Sequence, residues 1–332
     1  MVESDSKLKG RFVSMETRRD FFGALVAGGA LMATAVLPTV AQEKKPTKRN
    51  RTMPILSYAH FDIGAEKPFS VLHISDTHLT STYPGETPRR IKSAADRTRT
   101  FGGRQKEALE VSVEWAKKAS DYLLHTGDVI DFQTDANLDI VKRLFGSDQK
   151  VFGAIGNHEY YLEKDDEPPS GTEAYKELSR DALSKVFAND VAFASTTVHG
   201  INFITMDNVY GTVTARQAEQ FEREAKKGLP IVLCVHVPFF TDSLWRMSER
   251  YWRDRGKKFV EAGVPVPRTD RLRQIEDSMT HDFIAYMKSE RRLRGILAGH
   301  LHVAMEDRFS PTAMEYVVGG NFDFTAREVL FT

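Results

Sequence analysis

The sequence has a single cysteine and no excess of charge of either sign. One thiol excludes an intramolecular disulfide, and the position of Cys234 in an apolar segment indicates a small buried core residue. The 332 residues carry 46 Lys and Arg against 46 Asp and Glu, so no overall positive field gathers a polyanion such as nucleic acid. With 41% hydrophobic and 28% charged residues, the composition is that of a soluble globular protein, not of a disordered chain or a polytopic membrane protein.

Long apolar runs are also scarce, and the main uncharged stretch lies near the amino terminus, from 21 to 42. The segment at its start resembles a twin-arginine export signal. We predict that residues 1–41 are a signal peptide, cleaved after Ala41 or, as a second choice, after Ala35. Because the uncharged run is longer than the roughly 20 residues that span a bilayer, an uncleaved membrane anchor is the alternative. The twin-arginine segment reads Thr17-Arg18-Arg19-Asp20-Phe21-Phe22.

Export by this route implies the twin-arginine translocation machinery as a partner. The predicted location is therefore periplasmic or otherwise extracytoplasmic, with a tether to the inner membrane if the signal is retained. Residues 42–68 begin with several lysines and arginines and are predicted to be a linker and lead-in. Residues 69–332 are predicted to form the folded domain.

Five short polar clusters follow apolar, β-branched runs in the rest of the chain. Each cluster comes where a predicted strand ends, so its side chains should project from the carboxyl end of the strand, where α/β folds place their active sites. The residue types and their order predict a two-metal hydrolytic site, the alternative being histidines scattered through the core. In chain order the clusters are Asp76-Thr77-His78, Gly127-Asp128, Gly156-Asn157-His158-Glu159, His236 and Gly299-His300-Leu301-His302.

Asp128 is the predicted bridge between the two ions. Its carboxylate has two oxygens, and Gly127 lets the backbone turn tightly beneath it. Two ions about 4 Å apart would neutralise phosphate charge and supply hydroxide near neutral pH. We assign Asp76, His78 and His302 to one ion, and Asn157, His236 and His300 to the other. The mixture of imidazole, carboxylate and amide favours divalent Mn, Fe, Zn or Co over Mg or Ca. Since His300 and His302 would serve different ions, the chain there is predicted to be a loop end.

Strands and helices alternate along the first part of the domain. A helix over 104–119 and another that begins after Thr214, with Gln217 as its capping-box partner, are predicted from apolar spacing and end signals. Helical crossovers favour parallel strands, whereas short turns such as Gly319-Gly320 favour antiparallel hairpins at the carboxyl end. The region 237–280 is predicted to be an insertion, either a cap over the site or a helix packed on the body. Strands are predicted at 70–75, 121–126, 150–155, 201–206, 230–235, 294–298, 314–318 and 327–331.

Taken together, the ordered clusters resemble the calcineurin-like metallophosphoesterase superfamily over roughly residues 69–331. This resemblance implies a four-layer α/β/β/α sandwich with two mixed β-sheets. It also implies catalytic roles for Asp128 and for His158, which would contact phosphate or protonate the leaving oxygen.

Two departures narrow the resemblance. Asp131 stands where purple acid phosphatases carry a tyrosine ligand, and Phe132 and Ile155 stand where protein serine/threonine phosphatases carry arginines. The paired arginine clamp of the latter is therefore missing. Candidates for a replacement phosphate contact are Arg89, Arg90, Arg97, Arg99 and Arg104.

The predicted function is that of an exported binuclear-metal phosphoesterase with two divalent ions, Mn, Fe or Zn. It would hydrolyse phosphate esters by in-line attack of a metal-bound hydroxide, with a narrow preference for small phosphomonoesters. A phosphodiesterase or nucleotide pyrophosphatase is the alternative, and the balanced charge disfavours a nuclease. A non-catalytic, metal-holding binding protein of the cell envelope is the remaining alternative from another class.

Overall fold

Two mixed β-sheets form the centre of the molecule in a computed structural model that describes residues 51–145, 150–165, 167–256 and 276–332. The first sheet has the order β1-β11-β2-β3-β4, and the second has the order β5-β6-β7-β8-β10-β9. The strands are β1 (Ile55–Phe61), β2 (Phe69–Ile74), β3 (Tyr122–Thr126), β4 (Val151–Ala154), β5 (Phe193–Val198), β6 (Ile201–Met206), β7 (Ile231–Cys234), β8 (Leu293–Ala298), β9 (Met305–Arg308), β10 (Met314–Val317) and β11 (Thr325–Phe331).

Seven α-helices connect and cover these strands within the described residues. The predicted capping box is present at the start of α5, where the Thr214 side chain and the Gln217 side chain satisfy each other's backbone N–H groups. The predicted helix over 104–119 is confirmed as α2. The helices are α1 (Pro88–Thr100), α2 (Gln105–Ala119), α3 (Asp135–Phe145), α4 (Glu173–Ser184), α5 (Ala215–Ala225), α6 (Asp242–Asp254) and α7 (Ser278–Ser289).

The alternation of side chains along the strands divides the core into three layers of packing. In β2, Val71 packs between the two sheets, whereas its neighbour Leu72 packs under the helices of the first sheet. In β7, Val232 packs between the sheets and Leu233 packs under the helices of the second sheet. Each sheet thus buries one face against the other sheet and one against helices, which confirms the predicted four-layer sandwich with two mixed sheets.

Parallel pairing places the carboxyl ends of neighbouring strands at the same edge of each sheet. β2, β3 and β4 are mutually parallel neighbours in the first sheet, and β6, β7 and β8 are parallel neighbours in the second. The carboxyl ends of β2, β3 and β4 therefore lie side by side, as do those of β7 and β8. These are the ends from which the five polar clusters emerge.

The strand prediction found eight strands and missed β1, β5 and β9. In the short β9, only Met305 is buried, and β5 exposes Ser195, Thr196 and Thr197, so neither segment carries a strong apolar signal. The expectation of antiparallel hairpins before the carboxyl terminus was wrong for the turn at Gly319-Gly320. This turn connects β10 and β11, which lie in different sheets and so do not pair with each other. β10 pairs in parallel with β8 and antiparallel only with β9.

The predicted insertion contains α6, which buries Leu244, Ser248 and Trp252 against the body. The Trp252 indole Nε1 donates to Leu301 O at 3.2 Å, so this helix is attached beside the last polar cluster. Residues 257–275 of the insertion, the predicted signal at 1–41 and the start of the linker lie outside the described residues. Among the residues that are described, no helix combines the length and apolar character needed to cross a membrane.

Candidate metal centre

The first two clusters are held together by an extension of the β2–β3 pairing. Beyond the ends of these strands, Asp76 N donates to Gly127 O and His78 N donates to Asp128 O, each at 2.9 Å. The parallel register thus continues into the loops. As a result, Asp76, His78 and Asp128 lie next to one another although about 50 residues separate the first cluster from the second.

The second sheet contributes His236 and His300 and is tied to the first sheet through Asp76. Gly299 N donates to His236 O at 3.0 Å, which places the loops after β7 and β8 together. His300 N donates to the Asp76 Oδ2 atom at 2.9 Å. One carboxylate of the first sheet therefore fixes the last cluster of the second, and the two sheet edges form a single site.

The backbone at this site is unusual. Five of the seven predicted ligand residues have left-handed conformations, which are unfavourable for residues other than glycine and cluster at functional sites. The sharp local turns keep consecutive polar side chains pointing at one centre, and the predicted loop end at His300 and His302 is confirmed. The five are Asp76 (φ 55°), His78 (φ 52°), Asp128 (φ 55°), His300 (φ 68°) and His302 (φ 56°).

Glu159 stabilises these turns from beneath. Its Oε2 atom accepts hydrogen bonds from Asp128 N at 2.8 Å and Gly156 N at 2.7 Å, and its Oε1 atom accepts one from Ile130 N at 3.2 Å. The approach is so close that a Cβ atom at Gly156 would lie 2.2 Å from Asp128 Oδ1. The glutamate of the third cluster is therefore a fully buried anchor for the second and third loops.

The first group of donor atoms comprises Asp76, His78, Asp128 and His302, with ligand atoms all within 4.8 Å of one another. His302 Nε2 lies 3.0 Å from His78 Nε2 and 3.3 Å from Asp76 Oδ1. His78 Nε2 lies 3.7 Å from Asp128 Oδ2. These are the four residues that the sequence assigned to one ion.

The second group comprises Asp128, His236 and His300, again within 4.8 Å. His236 Nε2 lies 3.2 Å from Asp128 Oδ2 and 3.3 Å from His300 Nδ1. Asn157 stands in the chain between Gly156 and His158, and the His158 N–H donates to Asp128 Oδ1 at 2.9 Å. The structure thus brings the predicted ligands of the second ion to Asp128, which belongs to both groups. Their ligand roles stay a prediction.

The donor atoms fit divalent cations. Asn157 Oδ1 is buried and has no hydrogen-bond partner, which is costly for a polar atom unless a cation satisfies it. Asp76 Oδ1 is also buried and makes no hydrogen bond of normal geometry, although His302 Nε2 lies 3.3 Å away. The Asn157 Nδ2 atom donates to Tyr161 Oη at 3.3 Å, so the amide oxygen is the atom left over. His236 Nδ1 contacts Thr126 O at 2.7 Å, which makes Nδ1 the donor and leaves Nε2 as the atom that would bind a cation.

The protonation of the imidazoles follows from burial and neighbouring charge. Burial lowers the pKa of His78 to about 4 and that of His300 to about 3, so both are neutral near pH 7, the form that binds a metal ion. Burial also disfavours charge on His236, but the carboxylate of Asp128 outweighs it and raises its pKa to about 9. That proton balances part of the buried negative charge and is the one that a bound cation would displace.

His158 lies at the edge of the centre and is held by Asp131. Its Nδ1 atom is 2.8 Å from Asp131 O and 3.1 Å from Asp131 Oδ1. Burial opposes the charged form, but Asp128 and Asp131 raise the pKa of His158 to about 10. With Nδ1 engaged, Nε2 is the atom available to a substrate, as the predicted proton donor requires.

Sequence reasoning did not identify the supporting role that three residues have at the centre: Arg97, Phe101 and Glu159. Arg97 had been one of five candidate phosphate contacts, but its guanidinium pairs with Asp131 at 2.6 Å. The other four candidates also have protein partners. Arg89 pairs with Glu163, Arg90 with Glu86 and Leu162 O, Arg99 with Asp96, and Arg104 with Glu107.

A buried set of carboxylates and imidazoles at the carboxyl ends of two mixed sheets, which could hold two cations around one shared aspartate, is typical of a metal-dependent hydrolase. The chain belongs to the calcineurin-like phosphoesterase family, whose model matches residues 69–304. That match covers most of the described domain and all seven predicted ligands. No curated protein matches the sequence.

Solved structures of similar arrangement include a dimetal phosphatase from Danio rerio, with 13% identity over 77% of this chain and 88% of that chain and a TM-score of 0.44. A 5'-nucleotidase from Candida albicans has 13% identity over 80% of this chain but only 47% of that chain, with a TM-score of 0.37. The calcineurin-like phosphoesterase YfkN from Bacillus subtilis has 11% identity over 77% and 82%, with a TM-score of 0.36. Similarities this low do not indicate a substrate for this chain.

Proposed function

We propose that the protein is an exported binuclear phosphoesterase that acts on small phosphomonoesters. Membership of the calcineurin-like phosphoesterase family supports ester hydrolysis. The monoester preference is supported chiefly by the size and charge of a cavity whose wall includes Tyr161, a ring in contact with that of His158.

This cavity has a volume of about 260 Å³. Tyr161 belongs to its wall, and the Tyr161 ring lies 4.7 Å from the ring of His158. Three carboxylates line the cavity against one guanidinium, so a further phosphate group there would be repelled. A small, uncharged or cationic leaving group suits it better than a nucleotide or a polymer. The charged lining residues are Arg89, Glu163, Asp165 and Glu167.

Two divalent ions, when bound, would neutralise the phosphate oxygens and supply hydroxide near neutral pH. Asp76, His78, Asp128 and His302 would hold one ion, and Asp128, Asn157, His236 and His300 the other. His158 is oriented through Nδ1 by Asp131, so Nε2 donates a proton to the leaving oxygen as the ester bond breaks. Fixed donors of this kind need no rearrangement during the reaction.

The test is hydrolysis by the chain from residue 43 onward, freed of metal, reloaded with Mn, Fe, Zn or Mg, and supplied with p-nitrophenyl phosphate or bis-p-nitrophenyl phosphate. The matched control is Asp128→Asn protein treated in the same way. Dominant turnover of the monoester is expected. Dominant turnover of the diester would overturn the monoester preference in favour of a phosphodiesterase.

Export is supported by the twin-arginine segment and the uncharged stretch that follows it. Replacing Arg18 and Arg19 with lysine should retain the full-length precursor in the cytoplasm, whereas the unaltered chain should appear in the periplasmic or membrane fraction. A periplasmic form that begins at Gln42 would establish cleavage after Ala41. An intact chain in the membrane fraction would establish the anchor instead, and an unaltered location of the double variant would contradict twin-arginine export.

A further inference from the structure

The last turn of α1 reaches the metal centre and places an arginine there. Arg97 forms a two-point ion pair with Asp131, with Nε 2.6 Å from Oδ2 and Nη2 2.7 Å from Oδ1. The Asp131 side chain is only 2% exposed, and two-point pairs of this geometry are both strong and directional. Asp131 is therefore held in one orientation by α1, a helix that lies outside all five polar clusters.

Asp131 in turn contacts two imidazoles of the site. Its Oδ1 atom lies 2.9 Å from His78 Nδ1, which makes that nitrogen the donor and leaves His78 Nε2 for a cation. The same oxygen lies 3.1 Å from His158 Nδ1. A single carboxylate thus orients a predicted metal ligand and the predicted proton donor, and any movement of Asp131 would displace both.

Phe101 restrains the face of the same ligand. Its ring stacks on the His78 imidazole with centroids 4.3 Å apart and an angle of 12° between the planes. The Arg97 guanidinium carbon lies 4.8 Å from the centre of the Phe101 ring, so the two side chains contact each other. The His78 ring is therefore held by Asp131 through its Nδ1 atom and by Phe101 through the stacked ring.

We propose that Arg97 and Phe101 are positioning residues of the metal centre, which hold His78 in the orientation that binds an ion and, through Asp131, hold His158 beside it. A role for Arg97 as the missing phosphate clamp fits less well, because Nε and Nη2 are already occupied by Asp131. The kinetic part of this inference rests on the proposed function, but the part that concerns metal affinity does not.

The test compares full-length Arg97→Met, Arg97→Lys and unaltered protein, with Lys92→Met as the matched control. Lys92 lies on the same helix, but its side chain is 80% exposed and pairs with Asp96. Each protein is freed of metal and titrated with Co(II) against a chelator, and the visible Co(II) spectrum is recorded. Loss of a supporting group usually weakens metal affinity or activity about 10–100-fold.

We expect Arg97→Met to lose affinity by about this factor for one of two Co(II) ions, with a changed spectrum, a lowered kcat and a nearly unchanged KM. Arg97→Lys should be intermediate, because lysine keeps the charge but not the two-point geometry. Lys92→Met should match the unaltered protein. Unchanged Co(II) affinity and spectrum in Arg97→Met would overturn the proposal, and a raised KM alone would assign Arg97 to the substrate.

Phe101→Leu keeps the ion pair and removes the stacked ring, so it provides a second test if Arg97→Met does not fold. Its Co(II) spectrum should change while Asp131 remains paired, and a spectrum identical to that of the unaltered protein would contradict the role of Phe101. Failure of the proposed function would be seen separately, as an absence of monoester turnover by unaltered protein that binds two ions normally.

Discussion

The Nε2 atoms of His78 and His302 lie 3.0 Å apart, although 224 positions separate the two residues in the sequence. His78 uses Nδ1 to contact Asp131, so its Nε2 atom carries a lone pair. Two imidazole nitrogens at this distance repel each other unless a proton or a cation lies near both. A cation bound by both imidazoles would therefore replace the proton that otherwise lies between these two nitrogens.

Removal of metal should lower the midpoint of thermal unfolding. Binding to the folded state alone stabilises a protein by about 2.7 kcal/mol at a ligand concentration 100 times the dissociation constant. Differential scanning fluorimetry with a chelator, and then with excess Mn or Zn, would measure this change. Asp128→Asn, which alters the residue shared by both groups, should show little response to added metal. An equal response in the two proteins would exclude the bridging role of Asp128.

His158→Ala should retain both metal ions and lose turnover. Proton donation by a positioned side chain contributes about 10²–10⁴-fold to rate, so kcat should fall within that range while metal content stays at two ions. Metal analysis and steady-state kinetics on the same preparation would check this prediction. Full activity of His158→Ala on every substrate tried would remove His158 from the mechanism.

Gly127→Ala and Gly85→Ala separate backbone strain from crowding. The two glycines have similar positive φ angles, 93° and 98°, but an added Cβ would lie 2.5 Å from Gly156 N at Gly127 and would meet nothing within 4 Å at Gly85. Gly85→Ala should cost about 1–2 kcal/mol of unfolding free energy and keep activity. Gly127→Ala should also displace the Asp128 loop and abolish metal binding. Similar behaviour of the two variants in urea unfolding and metal titration would contradict this account.

Glu315→Gln should stabilise the protein at high pH. Glu315 is fully buried, and burial raises its pKa from 4.5 to about 8. Below the ordinary pKa both folded and unfolded states hold the proton. As pH rises from about 4.5 to about 8, only the unfolded state ionises freely, so the folded state loses stability.

Glutamine cannot ionise, so the difference in unfolding free energy between Glu315→Gln and the unaltered protein should grow between about pH 5 and about pH 8. Urea unfolding at both pH values measures it. Phe239 N donates to Glu315 Oε1 at 2.7 Å, and glutamine can accept the same hydrogen bond. A difference that does not change with pH would show that Glu315 does not titrate in this range.

Local features were predictable because neighbours in the sequence determine them. The capping box of α5 involves Thr214 and Gln217, three positions apart, and its geometry depends on one helical turn. The apolar runs that form β2 and β7 likewise predict strands from adjacent residues alone. The predicted ligand residue types were also readable, because sites in α/β folds lie at the carboxyl ends of strands, directly after such runs.

The positions of the supporting residues were not predictable in this way. Arg97 reaches Asp131 across 34 positions, and nothing in the α1 sequence distinguishes Arg97 from Arg99, which pairs with Asp96 on the exposed surface. The same applies to β10, whose assignment to the second sheet depends on a parallel neighbour, β8, and not on the adjacent turn.

The sequence by itself determined the candidate ligand residues, their order and the alternation that builds two sheets covered by helices. Only the tertiary structure decided how these residues are held together: that the Asp76 carboxylate accepts from His300 N, that Glu159 anchors the Asp128 loop, and that α1 holds Asp131. Side-chain chemistry is a property of each residue and is present in the sequence. The pairing of distant loops depends on strand order and on how the two sheets pack. Both of these are determined by free-energy differences to which the whole core contributes.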